Sequence, residues 1–493
     1  MEKIKLTRWL TAAALMWTAA VGQEPAKEQS ACEVLAQLSR PEMTITMAQP
    51  VLAGEFTPAG APANSPALAA FKGLAAFCRV AATLKPSPDS DIKIEVWMPL
   101  SGWNGKFQAV GNGGWSGAIS YGPLAAALAR GYAGASTDTG HAGGSAKFAL
   151  GHPEKLIDFG YRSEHEMTVE AKAIIAKFYG NGPKLSYWNG CSSGGKQGLM
   201  EAQRFPTDYD GIIAGAPANY WTHLIANGIW VAQAVHQNEA SYIPPAKYGL
   251  IHKAVLAACD ALDGVKDGVI ENPANCRFDP KVLACTGEDA PTCLTAPQVE
   301  AATKIYAGPK NPRTGKSIFP GMARGSELGW GALAGPHPFP IATDHFKYVV
   351  FREPEWDYKT LNFDTGVALA DKLDHGLLAA TDPNLKAFLA HGGKLLLYHG
   401  WNDQLIAPQN TINYYNSVVS KMGASKVRDS VRLFMAPGMN HCAGGDGPSQ
   451  FKPISVIVDW VENGRAPDQI VVSHVTEGKV DRTRPWCPYP QVA

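Results

Sequence analysis

The sequence predicts an α/β fold in which helices cover both faces of a mostly parallel sheet. Three observations support this prediction. Strand-like and helix-like segments alternate along the chain, the strand-like segments end in polar or glycine-rich turns, and a serine between glycines stands between a strand and a helix. Alternation of this kind is typical of parallel sheets, because the connecting helices pack against the faces of the sheet.

The individual elements follow from local patterns. Short apolar runs predict strands at Ile92 to Pro99, Phe107 to Val110, Ala133 to Asp138, Leu185 to Asn189, Lys394 to His399 and Val431 to Met435. Apolar residues at helical spacing predict a helix from Glu164 to Tyr179. A second helix is predicted at Gly195 to Arg204, directly after the turn that follows the fourth of these strands.

The composition excludes several classes of protein. The 493 residues exceed what one simple core usually organises, so we expect two domains or one domain with a large insertion. The 44 basic residues balance 44 acidic ones and form no basic stripe, which argues against a nucleic-acid partner. The 45% hydrophobic residues, with 13 Trp, 16 Tyr and 17 Phe, exclude a disordered chain. No apolar run after residue 25 is long enough to span a membrane.

The N-terminus predicts export. Lys3, Lys5 and Arg8 precede an apolar stretch from Trp9 to Val21, and small residues follow at a suitable cleavage position, so residues 1–22 are interpreted as a signal peptide. The predicted location is periplasmic or secreted. In such an oxidising compartment the nine cysteines are disulfide candidates, and at least one of them lacks a partner in this chain.

A nucleophile is predicted where the fourth strand meets its helix. Residues 190–194 match the pattern G-x-S-x-G, with Ser192 at the centre. A serine hydroxyl is a weak nucleophile unless a sharp turn lifts it towards a base, and such a turn leaves no room for neighbouring side chains. The main-chain N–H of Ser193 is then directed at a developing oxyanion. The alternative is an ordinary glycine turn.

The acid and the base are expected later in the chain, in that order. Asp403 lies in the loop after the strand Lys394 to His399, and His441 lies in the loop after Val431 to Met435. Histidine accepts and returns a proton near neutral pH, and an adjacent carboxylate fixes its tautomer. Asp446 is the rival acid, but it follows the histidine.

Two cysteines flank these residues. Cys191 precedes Ser192, and Cys442 follows His441. If Ser192 and His441 meet, their neighbours are close enough to form a disulfide. Such a bond would hold the base beside the nucleophile.

Taken together, residues 190–195, Asp403 and the pair His441–Cys442 resemble the tannase and feruloyl esterase family of α/β-hydrolases. The resemblance runs from about Cys32 to the segment that begins at Cys487. It implies an α/β-hydrolase fold and a serine–aspartate–histidine triad bracketed by a disulfide. The family also includes bacterial mono(2-hydroxyethyl) terephthalate hydrolases.

The stretch between Ser192 and Asp403 is far longer than a sheet crossover needs. We interpret residues 219–376 as an inserted lid domain, and residues 23–218 and 377–493 as the catalytic domain. Residues 111–114 follow a strand and are expected to supply the second oxyanion donor. By position in the family this donor is Gly114, although Gly111 and Gly113 remain open. His399 and Ile406 are expected to line the acyl pocket.

Three carboxylates lie close together within the insertion. Hard oxygen ligands of this kind suit calcium, although the spacing is not that of an EF-hand. The resemblance implies a structural Ca²⁺ site, held by the side chains of Asp260, Asp263 and Asp267 and by the main-chain oxygens of Val265 and Val269. The alternative is a solvated acidic turn. Cys259 and Cys276 flank the loop and are paired here, as are Cys285 with Cys293 and Cys32 with Cys78, which leaves Cys487 without a partner.

The predicted function is that of an exported serine carboxylic ester hydrolase. The resemblance implies an aromatic acyl group, either hydroxycinnamoyl or galloyl, released through an acyl-enzyme. A terephthalate monoester hydrolase is an alternative, but such a site would need a cation for the free carboxylate, and residues 331–346 contain neither Arg nor Lys. Arg324 and Lys347 are the substitutes. A non-catalytic, calcium-stabilised binding protein and a serine peptidase also remain open, as does the oligomeric state.

Overall fold

The structure, a computed structural model, describes Met1 and residues 30–62 and 65–493. The predicted signal peptide therefore lies, apart from Met1, outside the described residues. Among the residues that are described, no helix is both long and apolar enough to cross a bilayer.

One large sheet organises the molecule, and it confirms the predicted α/β-hydrolase-type fold with a mostly parallel sheet. Its nine strands lie in the order β1-β2-β3-β5-β4-β6-β7-β8-β9. The pairs from β5 onward are parallel, whereas β1, β2, β3 and β5 pair antiparallel. A separate two-stranded sheet pairs β10 with β11. The strands are β1 (Met43–Val51), β2 (Phe77–Leu84), β3 (Ile92–Pro99), β4 (Lys106–Val110), β5 (Ala133–Thr137), β6 (Leu185–Cys191), β7 (Gly211–Gly215), β8 (Lys394–Gly400), β9 (Val431–Ala436), β10 (Ile470–Thr476) and β11 (Lys479–Trp486).

Helices lie between most of the strands. They are α1 (Ala69–Lys72), α2 (Tyr121–Leu128), α3 (Pro153–Ile157), α4 (Ser163–Tyr179), α5 (Ser193–Arg204), α6 (Trp221–Val235), α7 (Tyr248–Cys259), α8 (Ala296–Ala307), α9 (Gly331–Ala334), α10 (Pro340–Asp344), α11 (Thr365–Asp374), α12 (Lys386–Ala390), α13 (Gln409–Met422), α14 (Ala424–Ser430) and α15 (Pro453–Asn463). The six predicted strands correspond to β3, β4, β5, β6, β8 and β9, and the two predicted helices correspond to α4 and α5.

The segment between β7 and β8 is fully described and contributes no strand to either sheet. It contains α6 to α12, and its apolar residues form a core that also takes in Trp115, Phe159 and Ile406 from the sheet side. A different core lies against the sheet and includes Val96, Trp188 and Leu397. The inserted segment thus has a core of its own that reaches the loops after the strands.

The order of the strands places the predicted triad at one edge. In a parallel sheet the carboxyl ends of the strands lie on the same side, and the loops that follow them meet there. Strand β6 ends at Cys191, β8 ends at Gly400 and β9 ends at Ala436. Ser192, Asp403 and His441 each follow one of these three strands.

Candidate active site

The turn at Ser192 is strained in the manner expected for an exposed nucleophile. Ser192 has φ 64° and ψ −123°, a conformation that L-residues rarely adopt. It persists because the neighbouring glycines allow close packing. A Cβ on Gly190 would lie 2.3 Å from the main-chain oxygen of Gly194, and one on Gly195 would lie 2.4 Å from the oxygen of Gly215. The main-chain N–H of Ser192 donates to the oxygen of Gly215 at 3.0 Å, which ties the turn to β7.

Asp403 and His441 are in direct contact. The His441 Nδ1 atom lies 2.7 Å from Asp403 Oδ2. The other oxygen, Oδ1, accepts the main-chain N–H groups of Leu405 at 2.8 Å and Ile406 at 2.9 Å. The main-chain N–H of His441 donates to the Gln404 side chain at 3.1 Å. Asp403 is therefore positioned to hold the imidazole with its Nε2 atom free for proton transfer.

Burial and charge act in opposite directions on the pKa values of Asp403 and His441. Burial alone would raise the pKa of Asp403, but the charge of His441 and the hydrogen bonds from His399 and His441 hold that pKa well below its usual range. Burial lowers the pKa of His441, yet the charge and hydrogen bond of Asp403 outweigh it, so the pKa of His441 is raised. The carboxylate therefore stays ionised and stabilises an imidazolium.

The predicted place of His399 in the acyl pocket is wrong. Its ring is fully buried behind Asp403, with Nε2 at 2.9 Å from Asp403 Oδ2 and 3.1 Å from the main-chain oxygen of Ile406. Its Nδ1 lies 2.7 Å from the hydroxyl of Thr411. The reason is that β8 runs on to Gly400 and keeps the His399 side chain inside the protein. His399 thus supports the carboxylate that orients His441, a role that sequence spacing did not indicate.

All four predicted cysteine pairs are disulfides in the structure. They are Cys32–Cys78, Cys191–Cys442, Cys259–Cys276 and Cys285–Cys293, and Cys487 is a free thiol. The second bond brings the Cα atoms of Cys191 and Cys442 to 6.0 Å and so holds Ser192 and His441 in adjacent segments. The Ser192 hydroxyl makes no hydrogen bond to a described residue here, and such catalytic hydrogen bonds often shorten only when substrate is bound.

The rival acid lies elsewhere. The Asp446 Oδ2 atom is 3.6 Å from His252 Nε2 and 3.5 Å from the side-chain amide of Asn402. It makes no ion pair with His441 among the described residues. The geometry therefore favours Asp403 over Asp446 as the partner of His441.

The glycine loop after β4 lies against the N-terminus of α5. The Ser193 hydroxyl donates to the main-chain oxygen of Gly114 at 3.1 Å. Gly114 has φ 54°, and a Cβ there would lie 2.6 Å from the side chain of Ile341. The main-chain N–H groups of Ser193 and Gly114 donate to no acceptor within the part of the chain that the structure describes. Two free donors beside Ser192 are what an oxyanion site requires.

Buried polar groups hold this loop in place. The side chain of Gln197 accepts the main-chain N–H of Asn112 at 3.2 Å and donates to the Asn112 side chain at 2.8 Å. Gln197 also donates to Glu164, which is buried beside the buried ammonium of Lys196. Burial raises the pKa of Glu164 to about 7. Sequence reasoning missed these residues, because α4, α5 and the loop are distant in the chain.

A largely apolar cavity adjoins Ser192. Its lining contains no charged side chain, and it includes the predicted pocket residue Ile406 but not His399. The lining residues are Gly114, Ser192, Ser193, Ala218, Trp221, Leu224, Ile225, Gly228, Leu333, Phe339, Ile341, Ala342, Leu405 and Ile406. A larger cavity of about 580 Å³ lies between residues 149–157 and 345–378 and touches no triad residue, so size alone does not mark the site.

The predicted calcium loop has the donors that such an ion prefers. The buried carboxylate of Asp260 accepts a hydrogen bond from the main-chain N–H of Gly268 at 3.1 Å. Val269 is also buried, and its main-chain oxygen accepts no hydrogen bond from a described residue. The set of carboxylates and carbonyls therefore fits Ca²⁺ chemically. Asp263 and Asp267, however, are paired with arginines.

Arg484 lies 3.8 Å from Asp263 and 3.5 Å from Asp267, and Arg482 lies 3.3 Å from Asp267. Asp260, Asp263 and Asp267 do not form a group whose ligand atoms all lie within 4.8 Å of one another. Binding of the ion would therefore require the two guanidinium groups to move away from these carboxylates.

Comparison with known proteins gives one consistent result. The family model described as tannase and feruloyl esterase matches residues 78–493. An uncharacterized esterase of Xanthomonas campestris pv. campestris is 38% identical over 95% of this chain and 89% of its own length. A protein of Aspergillus clavatus named "Probable feruloyl esterase B" is 33% identical over 89% of this chain and 88% of its own length.

Solved structures agree with these relatives. The crystal structure of feruloyl esterase B from Aspergillus oryzae has a TM-score of 0.87 and 31% identity, and the match covers 93% of this chain and 95% of that one. The tannin acyl hydrolase from Aspergillus niger has a TM-score of 0.79 at 22% identity, over 93% of this chain and 91% of that one. The second match bears on the fold alone.

Proposed function

The chain belongs to the tannase and feruloyl esterase family and is an esterase of that type, and from this premise we propose that it hydrolyses esters of aromatic carboxylic acids through an acyl-enzyme on Ser192. The observation that carries the proposal is the contact of 2.7 Å between His441 Nδ1 and Asp403 Oδ2. The disulfide between Cys191 and Cys442 also supports it, because this bond joins the segments of the nucleophile and the base covalently.

The chemistry proceeds in two halves. The Ser192 oxygen attacks the ester carbonyl while His441 Nε2 accepts the hydroxyl proton, and His441 then protonates the departing alcohol. The N–H groups of Ser193 and Gly114 stabilise the oxyanion of the tetrahedral intermediate. Asp403 holds the imidazole tautomer and stabilises the imidazolium. His441 then takes a proton from a water molecule whose oxygen attacks the acyl carbonyl. The bond to Ser192 breaks, the acid is released, and His441 returns the proton to the Ser192 oxygen.

The lining of the cavity favours an uncharged aromatic acyl group. Trp221, Ile225, Phe339 and Ile406 offer apolar surface, and no Lys or Arg lines the cavity. The two residues considered as substitute cations do not reach it. Arg324 donates to the main-chain oxygen of Phe278 and stacks over the ring of Tyr306, and Lys347 is not among the lining residues. A terephthalate monoester would have to bury its free carboxylate without a partner.

A substrate panel tests the proposal. Methyl ferulate, methyl gallate, a terephthalate monoester, a p-nitrophenyl ester and a peptide are compared by kcat/KM. The kcat/KM for methyl ferulate or methyl gallate is expected to exceed that for the terephthalate monoester by at least about tenfold, because the free carboxylate of the monoester would be buried as a poorly compensated charge. Preference for the terephthalate monoester or the peptide would contradict the substrate class. Binding of aromatic esters without turnover of any ester would favour a binding protein.

The pH dependence of activity follows from the raised pKa of His441. The base must be neutral, so kcat/KM is expected to fall as the pH drops, with a midpoint above about 6.5, the ordinary pKa of histidine. The same shift stabilises the fold below that ordinary pKa, and the contribution is lost as the pH rises through the folded-state pKa. Asp403→Asn should move the acid limb to lower pH while it lowers the rate. A limb centred below about pH 6 in the wild type would contradict this assignment.

Gln197 is expected to act on the rate through the oxyanion loop. Gln197→Ala removes both hydrogen bonds to Asn112, so kcat should fall about tenfold or more with little change in KM, because small misplacements of donors are costly. Gln203→Ala is the matched control, since Gln203 lies on the same helix but bonds to Ala380 and Tyr414. Equal effects of the two substitutions would show that Gln197 has no positioning role.

The proposal includes a structural Ca²⁺ ion held by Asp260, Asp263, Asp267 and the main-chain oxygens of Val265 and Val269. Bound there, the ion would neutralise the acidic loop and add to the stability of the folded state. It lies outside the reacting groups, and the reaction above uses no metal. Export of the chain is also part of this proposal, and the four disulfides support it because disulfides are typical of oxidising compartments. A lid function of residues 219–376 is a further part, and the separate core of the insertion supports it.

Chelation by EGTA is expected to lower Tm more than it lowers kcat/KM at about 25 °C. An ion present at about 100 times its Kd stabilises the fold by about 2.7 kcal/mol, which corresponds to a shift of several degrees. Asp263→Asn should abolish the response to Ca²⁺, whereas Asp468→Asn, at a largely exposed acid, should keep it. A Tm that responds to neither EGTA nor added Ca²⁺ would exclude the ion.

A further inference from the structure

Three side chains from distant segments meet near the C-terminal end of α5, away from the N-terminal end that follows Ser192. His165 lies near the start of α4, Glu201 lies in the last turn of α5, and Asp208 lies in the loop before β7. One ligand atom from each lies within 4.8 Å of the other two. The His165 Nδ1 atom is 2.7 Å from Asp208 Oδ2. Nothing in the reaction described above uses these residues.

Glu201 is the unusual member of this group. Its side chain is buried, and its Oε2 atom has no hydrogen-bond partner among the described residues. No Lys or Arg nitrogen in the described ranges lies within 4.0 Å of the Glu201 or Asp208 carboxylate. The neighbouring ammonium of Lys172 donates to the main-chain oxygen of Asp208 instead. Burial, and next the charge of Asp208, raise the pKa of Glu201 well above its ordinary value. Two carboxylates and an imidazole therefore converge, and the neighbouring Lys172 ammonium forms an ion pair with neither carboxylate within the described ranges.

We infer that His165, Glu201 and Asp208 bind a divalent transition-metal ion, with Zn²⁺ as the best match. One imidazole nitrogen and two carboxylate oxygens suit Zn²⁺, whereas Mg²⁺ and Ca²⁺ prefer ligand sets made of oxygen alone. The ion would displace the proton that His165 and Asp208 now share, and it would give the buried Glu201 carboxylate a ligand bond.

The surroundings are arranged for such a site. The His165 ring stacks on Phe205, with centroids 3.8 Å apart and planes within 7°, which fixes the direction of its nitrogens. The His165 side chain is 28% exposed and that of Asp208 12%, so an ion can enter from solvent. Glu201 lies about 14 Å along α5 from Ser192 at about 1.5 Å per residue. The ion would therefore join α4 to α5 and stabilise the scaffold, without contact with substrate.

Metal binding to the intact protein tests this inference. Protein without a histidine tag is stripped of metal, supplied with a constant excess of Ca²⁺, and titrated with ZnCl₂ by calorimetry and by thermal unfolding. One saturable site and a rise in Tm are expected. Added Mg²⁺ should give neither. Co²⁺ should give the visible absorption of a low-coordinate site, which reports the coordination number of the bound ion.

The variants separate this site from other histidines. Glu201→Gln keeps the size of the side chain and removes a buried carboxyl group that is costly to ionise, so it should fold at least as stably without metal. It also removes the carboxylate that would bind the ion, so Zn²⁺ should bind at least about tenfold more weakly. His152→Ala is the matched control, because His152 pairs with Asp89 at 2.9 Å on the surface without a third ligand, and it should bind as the wild type does. Wild-type affinity in Glu201→Gln, or no saturable site in the wild type, would overturn the inference. Neither readout depends on ester turnover, so failure here leaves the proposed function untouched, and the reverse also holds.

Discussion

Replacement of Ser192 by alanine is expected to lower kcat/KM for an aromatic ester by about 10⁴ to 10⁶-fold. Members of a catalytic triad act as a unit, so the loss of the nucleophile removes most of what all three supply. The two main-chain oxyanion donors and the apolar cavity remain, so a small residual rate above that of water should persist. The measurement is steady-state turnover of methyl ferulate by wild type and variant at equal folded concentration.

The matched control for this substitution is Ser420→Ala, which removes an exposed hydroxyl on α13 and should leave kcat/KM unchanged. His441→Ala should resemble Ser192→Ala, because the proton would have no acceptor. A Ser192→Ala variant that retains more than about a tenth of the activity would show that another group is the nucleophile.

Removal of the disulfide between Cys191 and Cys442 is expected to be the most damaging change to stability. The bond spans 251 residues, and closing such a loop is worth about 5 kcal/mol in the chain-entropy model. The double variant Cys191→Ala/Cys442→Ala should therefore unfold at markedly lower denaturant. It should also lose about a hundredfold in kcat/KM below its Tm, because His441 is no longer held beside Ser192.

The pair Cys285 and Cys293 provides the comparison. That disulfide spans only 8 residues, for which the same model gives about 2.5 kcal/mol, and it lies in the inserted segment away from the triad. Cys285→Ala/Cys293→Ala should cost less stability and little activity. If the two double variants behave alike in both measurements, the active-site disulfide has no special positioning role.

The sequence predicted the elements around the triad well because local chemistry marks them. A short apolar strand that ends in a glycine or polar turn is visible without the fold, which is why β6, β8 and β9 are found within about two residues. Strand β1 escaped detection because it lies at the edge of the sheet and has few buried residues, so its pattern is weak. Strand β7 was also missed, because it is only five residues long and has glycine at both ends.

Contacts made in three dimensions were harder to predict. His399 was predicted to line the acyl pocket from its position four residues before Asp403, but the path of the chain after β8 turns its ring behind Asp403. Gln197 and Glu164 hold the loop of residues 111–114 from two different helices, and His165, Glu201 and Asp208 come from three segments. No spacing in the chain marks such groups. By contrast, the cysteines next to Ser192 and His441 carry their spatial relation in the sequence, so that pair was predicted correctly.

Covalent labelling tests the central claim most directly. The protein is treated with an alkyl fluorophosphonate, which reacts with activated serines, and then mapped by mass spectrometry after digestion. We predict one adduct, located on Ser192, that is absent in Ser192→Ala and forms far more slowly in His441→Ala and in Asp403→Asn. An adduct on a different residue, or labelling of Ser192 at the wild-type rate without His441, would contradict the proposed triad.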